Sequence, residues 1–455
     1  MSEPTASKAG GLSARHINFF ALGGAIGTGL FLGSGNAIAT TGPSVVLTYF
    51  LCGLAIFIMC RSVGEMVLEH PDTGAFSSYA RRYLGALPGF SLGWSYAILM
   101  LIIALAEIGA IPIYMAFWYP DVPSWIWVLV TIIGMGLLNA APVRIFGETE
   151  FAMTLVLVTT VILLLIGGLG LAIFGLGIHD PATNIPNLVG NGGLFPNGIV
   201  GFATSFAVVL FAFGGTEAIG LTAAEADDPN TAIPSAVNQV PWRIALFYIG
   251  LIALTVVIQP WNTVTEDASP FVQSMTDLGL TWAAGVFNVV ILLAALSTIN
   301  AVLFASGRMI AGLADDGLAS AALARRNSRG VPVVSVWALV TVMIVAFVWH
   351  LISQVPLFLP AATLAACTAV VCWILIVLSQ IIGRKRYTKA PRFPAPFFPY
   401  AQYVALAFFV LMLVLIAVTR PSAFAMSMGL QVVFAVVWYL RFRTSGPAIA
   451  TPSSR

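Results

Sequence analysis

Charge is what this sequence has least of. Only 8% of its 455 residues are Asp, Glu, Lys or Arg, and 59% are hydrophobic. A soluble domain carries about 25% charged residues. So little charge cannot clothe a molecule in water, so the surface faces lipid, and a soluble globular protein is excluded. A net charge of +2 gives no basic patch for nucleic acid. Cysteine is scarce too: Cys52, Cys60, Cys367 and Cys372 lie in hydrophobic runs, at spacings that match no metal site, and read as small apolar filler. The histidines, His16, His70, His179 and His350, are scattered, with no His-Glu-x-x-His pair. Also lacking is the Gly-x-x-x-x-Gly-Lys loop that cradles ATP phosphates. An enzyme is not expected, nor a metal, a cofactor or a nucleic-acid partner. No cleavable leader is expected before the first hydrophobic run.

What the chain has is hydrophobic length. Runs of 17 or more residues fall near 17–40, 43–63, 89–117, 124–141, 150–176, 198–224, 242–260, 280–311, 332–352, 357–380, 401–419 and 422–440. Each can cross a hydrocarbon core of ~30 Å, which predicts an all-α integral membrane protein of twelve spans. Starting from a cytoplasmic N-terminus, 19 of the 20 Lys and Arg fall inside and only Arg420 outside, as the positive-inside rule asks of an even span count. Both termini are then cytoplasmic.

The first run contains Gly23-Gly24-Ala25-Ile26-Gly27-Thr28-Gly29-Leu30-Phe31. Each glycine costs a helix roughly 1 kcal/mol relative to alanine, and an amide unpaired in lipid costs several more. Irregular backbone at that depth survives beside a cavity or a polar ligand, with N–H groups free for an anion and C=O groups for a cation. A second break, Gly214-Gly215-Thr216-Glu217-Ala218-Ile219-Gly220, lies in the sixth run. Two breaks five spans apart predict two five-span halves of opposite orientation, the inverted repeat of secondary transporters. The organisation expected is a cytoplasmic segment 1–16, a core 17–383 with repeats 17–180 and 195–383, a cytoplasmic linker 384–399, spans eleven and twelve within 400–443, and a tail 444–455.

Only two acids fall well inside the predicted spans, Glu107 and Glu217. Each needs a cavity, a partner or a proton. Ala104, Glu107, Ile111 and Tyr114 share one helical face, which suits a pocket wall where Glu107 meets substrate or exchanges a proton; a bond to a neighbouring helix is the alternative. Glu217 either stitches the second break together or takes part in proton-linked gating. Phe211 sits one turn before Gly214-Gly215, where its ring can close over a ligand. Phe213 is a candidate beside it, although buried rings commonly serve packing alone. Ser297 and Asn300 offer neutral hydrogen bonds, either to a pocket or between helices.

With these motifs in view, the chain resembles bacterial amino-acid permeases of the amino acid–polyamine–organocation superfamily. The resemblance rests on Gly11-Leu12-Ser13-Ala14-Arg15-His16, the Gly23–Phe31 run, Gly42-Pro43-Ser44, Gly64-Glu65-Met66, Phe117-Trp118-Tyr119-Pro120 and Phe146-Gly147-Glu148-Thr149-Glu150-Phe151. It continues through Gly-Gly-Thr-Glu217, Glu225-Ala226-Asp227-Asp228-Pro229, Ser269-Pro270-Phe271-Val272 and Ser297-Thr298-Ile299-Asn300. The first and third segments are most similar to the proline/histidine-type branch, with aromatic-type permeases next.

The resemblance implies a LeuT-like 5+5 inverted repeat with broken helices 1 and 6, plus two C-terminal helices, in a bacterial inner membrane. By motif, the backbone of Ala25, Ile26, Gly27, Thr28 and Gly29 would hold the substrate carboxylate and amine. Phe211 would be an aromatic gate, Gly214 and Gly215 would offer backbone to the amine, and Glu217 would be an acid linked to gating. Such permeases often carry a lysine, implicated in proton coupling, six residues after Glu-Phe. Here Leu157 stands there, and no Lys or Arg occurs between Arg144 and Arg243. Either Glu107 and Glu217 handle the proton or coupling is absent. The function expected is uptake of a neutral, cyclic or aromatic L-amino acid by alternating access with proton symport. The alternatives are an exchanger or facilitator and, further off, a membrane amino-acid sensor.

Overall fold

The computed structural model describes residues 27–70, 75–174, 186–218, 229–265, 269–277, 279–353 and 357–442, which are helical almost throughout. Helix α1 (Thr28–Phe31) passes one irregular residue, Leu32, into α2 (Gly33–Thr41), and a 3-10 turn over Gly42–Ser44 leads to α3 (Val45–Glu69). There follow α4 (Ala75–Tyr83), α5 (Ala86–Met115), α6 (Ser124–Ala140), α7 (Val143–Phe174), the short α8 (Pro186–Val189) and α9 (Gly198–Ala212). After a 3-10 turn at Thr216–Ala218, α10 (Pro229–Arg243) continues through a π-helical segment, Ile244–Gly250, into α11 (Leu251–Ile258). The rest is α12 (Pro270–Asp277), α13 (Thr281–Asp315), α14 (Val333–Ser353), α15 (Phe358–Arg384), α16 (Tyr400–Thr419) and α17 (Pro421–Arg441).

Among the described residues, ten stretches are long and apolar enough to cross a membrane, and α6, with 17 residues, is a shorter apolar helix. The first stretch, Thr28–Glu69, has 42 residues, about twice what one crossing needs. Regular helix is interrupted in it at Gly42–Ser44. Gly42 has φ 71°, a conformation that disfavours any side chain, and a Cβ there would also collide with Pro196. Pro43 then lacks the N–H that would continue the helix. Two predicted boundaries move: the second helix runs on to Glu69, and α7 begins at Val143 rather than 150. The 17–26 part of the first predicted span lies outside the described residues.

Lipid tails are as apolar as leucine, so these helices associate through close packing and interhelical hydrogen bonds. The centre is α13, which packs along α5 and also meets α7, α6, α12 and α14. Its inner positions are small: Ala294, Ala295, Ser297, Thr298, Ala301 and Ala305 are all buried. Helix α15 joins from another side against α5, α9 and α3. The last two spans, α16 and α17, bury the smallest share of their length. Outward faces carry residues such as Ile199, Val200 and Val418, with Trp242, Trp282, Trp349 and Tyr400 also exposed, the pattern of a lipid-facing surface with interfacial aromatics.

Candidate substrate-binding site

The first break sets the geometry. Gly27 is extended (φ −119°, ψ −164°) and Thr28 opens the helix. The first N–H groups of a helix have no partner within it, and that end carries partial positive charge. Glu107 of α5 supplies the acceptor: the Thr28 N–H donates to both carboxylate oxygens, at 3.1 and 3.2 Å. Both residues are fully enclosed. A Cβ on Gly27 would lie 2.5 Å from Glu107 Oε1 and 2.7 Å from Thr298 Oγ1. That Thr298 hydroxyl is buried and has no hydrogen-bond partner among the described residues. A Cβ on Gly29 would lie 2.7 Å from the Ala212 Cα and 3.0 Å from the Phe211 ring. The start of α1 therefore rests directly on the end of α9, and only glycine permits the approach.

The second break is a tightened helix end. Phe213 N–H donates to the Leu210 carbonyl (3.1 Å), and Gly214 N–H to that of Phe211 (3.0 Å). Gly215 then adopts φ 92°, where a side chain would be strained. The Thr216 hydroxyl donates to the Phe213 carbonyl at 2.9 Å. The Ala212 carbonyl, left over by the end of α9, accepts from the Tyr248 hydroxyl at 3.0 Å. Tyr248 comes from the π-helical segment, seven residues that no sequence signal announced beyond Pro241 in the preceding helix. Glu217 is buried and accepts from the Trp373 indole of α15 at 3.1 Å.

The structure brings Gly27, Thr28, Gly29, Glu107 and Phe211 together, with Gly214 beside Ile103 of α5. Ala104 is buried on that same helix. Phe211 faces Phe358 edge-on, centroids 5.9 Å apart. Phe213 points elsewhere: it stacks on Tyr248 at 4.7 Å and lies against Tyr49 at 6.0 Å. Gly215 belongs to the turn itself. Ala25 and Ile26 lie outside the described residues. Thr298 was missed. Helix α13 is buried nearly all round, so its sequence carries no phase to show which side meets the break.

Ser297 and Asn300 are bound to an acid the sequence reading passed over. Ser297 Oγ donates to Glu150 Oε1 at 2.5 Å and Asn300 Nδ2 to Glu150 Oε2 at 2.9 Å. Asn139 of α6 donates to Asn300 Oδ1 at 3.0 Å and so fixes which way that amide faces. The expectation that only Glu107 and Glu217 lie deep in spans is corrected here. Glu150 and Glu65 are buried as well, because α7 starts before position 150 and α3 runs past 63. Glu150→Ala would leave two donors without acceptors, at about 1–3 kcal/mol each. A lowered unfolding midpoint in detergent is expected, partly restored in Glu150→Gln.

A separate cavity of about 460 Å³ lies between α7, α11 and α13, lined by Leu163, Leu254, Phe271 and Trp282 among others. Its hydroxyls on Thr160, Thr255 and Ser274 each donate to a carbonyl one turn back. Those hydroxyl hydrogens are already engaged, and the rest of the lining is mostly apolar.

Helices of membrane-spanning length around two touching helix breaks are the arrangement of an integral membrane carrier for a small polar solute. The comparisons make the class specific. A profile of the family described as "Amino acid permease" matches residues 16–450. The chain is 39% identical over 435 residues to the Aromatic amino acid transport protein AroP of Escherichia coli O6:H1, covering 94% of this chain and 93% of that protein. AroP of Escherichia coli K12 matches at 39% over the same shares. The Uncharacterized amino acid permease YtnA of Bacillus subtilis is 38% identical over 434 residues, 94% of this chain and 92% of that one. The chain belongs to the amino acid permease family: it is a multi-pass membrane transporter for an amino acid.

Proposed function

We propose that this permease takes up an aromatic L-amino acid by alternating access, in symport with protons. One observation carries the reading. The start of α1 and the end of α9 meet at Gly29 inside an apolar bundle. The two helix ends carry opposite partial charge, positive at α1 and negative at α9. A zwitterion is the solute that matches this pair: its carboxylate turns to the amides of α1 and its ammonium to the carbonyl end of α9. Phe211, Phe358 and Ile103 give the neighbouring wall an aromatic and aliphatic character. That suits an aromatic side chain, the class named in AroP.

The architecture that goes with this reading has twelve spans. Helices α1 and α2 continue a span begun before residue 27, α6 counts as one crossing, and the first ten spans form two inverted five-span repeats. The last two, α16 and α17, stand outside the repeats. The termini are cytoplasmic and the membrane is a bacterial inner membrane, as the 19-to-1 distribution of basic residues supports. Glu107 and Glu217 are the acids available for coupling.

Uptake of labelled phenylalanine into proteoliposomes is expected to be suppressed by excess tyrosine and tryptophan, and little by proline or histidine. Suppression by proline or histidine instead would sink the substrate assignment. The absence of a basic residue between Arg144 and Arg243 favours a second reading, an exchanger without coupling. Accumulation that ignores an imposed pH gradient would decide for it.

A further inference from the structure

We infer that the Glu107 carboxylate occupies the place the substrate's carboxylate must take, so that substrate enters only when Glu107 is protonated and gives up the α1 amide. The inference rests on the transport reading above and adds how its coupling works.

Glu107 does not sit in the site as an open anion awaiting an ammonium group. Both of its oxygens are already within hydrogen-bond distance of the Thr28 N–H, the first amide of the helix that follows the break. A substrate carboxylate drawn to the positive end of that helix needs the same amide. A second hydrogen-bond donor is poised there too. The Thr298 hydroxyl, buried and unpartnered among the described residues, faces the point beside Gly27 that Glu107 Oε1 also faces. Its hydroxyl hydrogen can serve either carboxylate. Two anions at one amide in a low-dielectric interior repel strongly, so one must become neutral.

Among the described residues, nothing else nearby offsets a second negative charge. From α1 the groups facing Glu107 are the peptide and hydroxyl of Thr28, and from α13 the Thr298 hydroxyl. From its own helix comes the Tyr114 phenol, while α15 brings Leu357 and Phe358 to Gly109 nearby. The charges on these elements are engaged elsewhere among the described residues: Arg308 lies over Phe304, Asp315 pairs with Arg326 and Arg384 with Glu65, while Glu217 at the second break accepts from Trp373. No described cation reaches Glu107. The proton that neutralises it travels with the substrate, one for one, and no lysine is required at position 157.

Binding of labelled phenylalanine to detergent-purified protein between pH 6 and pH 9 tests this. Wherever Glu107 is ionised, affinity should fall up to tenfold per pH unit, the change expected when one proton is taken up with each ligand. Glu107→Gln should bind with no such slope and more tightly than wild type at the alkaline end. It should lose accumulation driven by a pH gradient. On the unmutated protein, 3-phenylpropionate, which has only the carboxylate, should compete better as pH falls. Phenethylamine, which has only the amine, should compete equally at all pH values. Phenethylamine binding that strengthens with rising pH, together with weaker phenylalanine binding in Glu107→Gln, would mean that Glu107 pairs with the ammonium, and would overturn the inference while leaving the transporter intact. Wild-type protein that neither binds nor transports any aromatic amino acid would overturn the substrate reading beneath it.

Discussion

Amino-acid uptake by the Gly27→Leu variant is expected to fall at least about 100-fold, or about 2.7 kcal/mol, with the protein still folded and inserted. The backbone at Gly27 is not the reason: φ −119° and ψ −164° are open to any residue. Space is. The first carbon of a side chain would come 2.5 Å from Glu107 Oε1 and 2.7 Å from Thr298 Oγ1. Leucine's remaining atoms would fill the region where a head group meets the α1 amide. Flexible side chains can retreat from such an intruder, so the fold survives and the site does not. Gly29 makes the contrast. There the collision is with the Cα and N of Ala212, backbone that cannot swing aside, so even Gly29→Ala pushes the two broken helices apart and lowers stability as well. Uptake and surface expression measured in parallel separate the two cases. Gly27→Leu transporting at more than a tenth of the wild-type rate would remove the first break from the site.

Much of this was written in the sequence because membranes simplify the problem. A hydrophobic run long enough to span is hard to misread, and glycine clusters inside such runs have few uses. Gly27, Gly29, Gly214 and the acids Glu107 and Glu217 were therefore visible before any coordinates. What stayed hidden depended on helix phase and helix ends. Glu150 was overlooked because the polar segment Arg144–Glu150 reads as a loop, whereas α7 incorporates it and turns Glu150 toward α13. The same phase ambiguity hid Thr298 behind its neighbours Ser297 and Asn300, which lie on a different face of a helix buried on several sides. Phe213 was a candidate by its nearness to Phe211, yet residues two apart on a helix point about 200° apart. The π-helical segment holding Tyr248 has no signature in composition. It is recognisable by what it does, supplying a donor to the Ala212 carbonyl that the break left unpaired.

Glu65→Ala is expected to be the most destabilising single substitution away from the site, costing about 3–5 kcal/mol, the range for removing one partner of a buried charge pair. Glu65 is fully buried near the end of α3. Its Oε1 accepts from Gln380 Nε2 at 2.9 Å, and its Oε2 from Arg384 Nη1 at 2.9 Å and the Ala395 N–H at 2.6 Å. One carboxylate thus ties α3 to the end of α15 and to the segment beyond it. The turns on either side add to the tie. Arg61 donates to Asn238 of α10 at 2.9 Å and to the Pro394 carbonyl at 2.6 Å, and lies over the Phe393 ring at 3.6 Å. Glu69 accepts from the Arg392 N–H at 2.6 Å. Residues 61, 65 and 69 are one helical turn apart, so a single face of α3 grips residues 392–395. An alanine at 65 leaves a guanidinium, an amide side chain and a peptide N–H without their acceptor. A glutamine keeps the shape and one acceptor, so Glu65→Gln should unfold at a temperature between alanine and wild type. The double variant Glu65→Ala/Arg384→Ala should lose less than the sum of the two single losses, because the stranded charge is gone. Thermal unfolding of wild type, the single variants Glu65→Ala, Glu65→Gln and Arg384→Ala, and the double variant in one detergent reads all of these. A Glu65→Ala midpoint indistinguishable from wild type would place this contact with exposed ion pairs, which contribute about 0–1 kcal/mol, and would leave α3 without its hold on the segment that leads to α16.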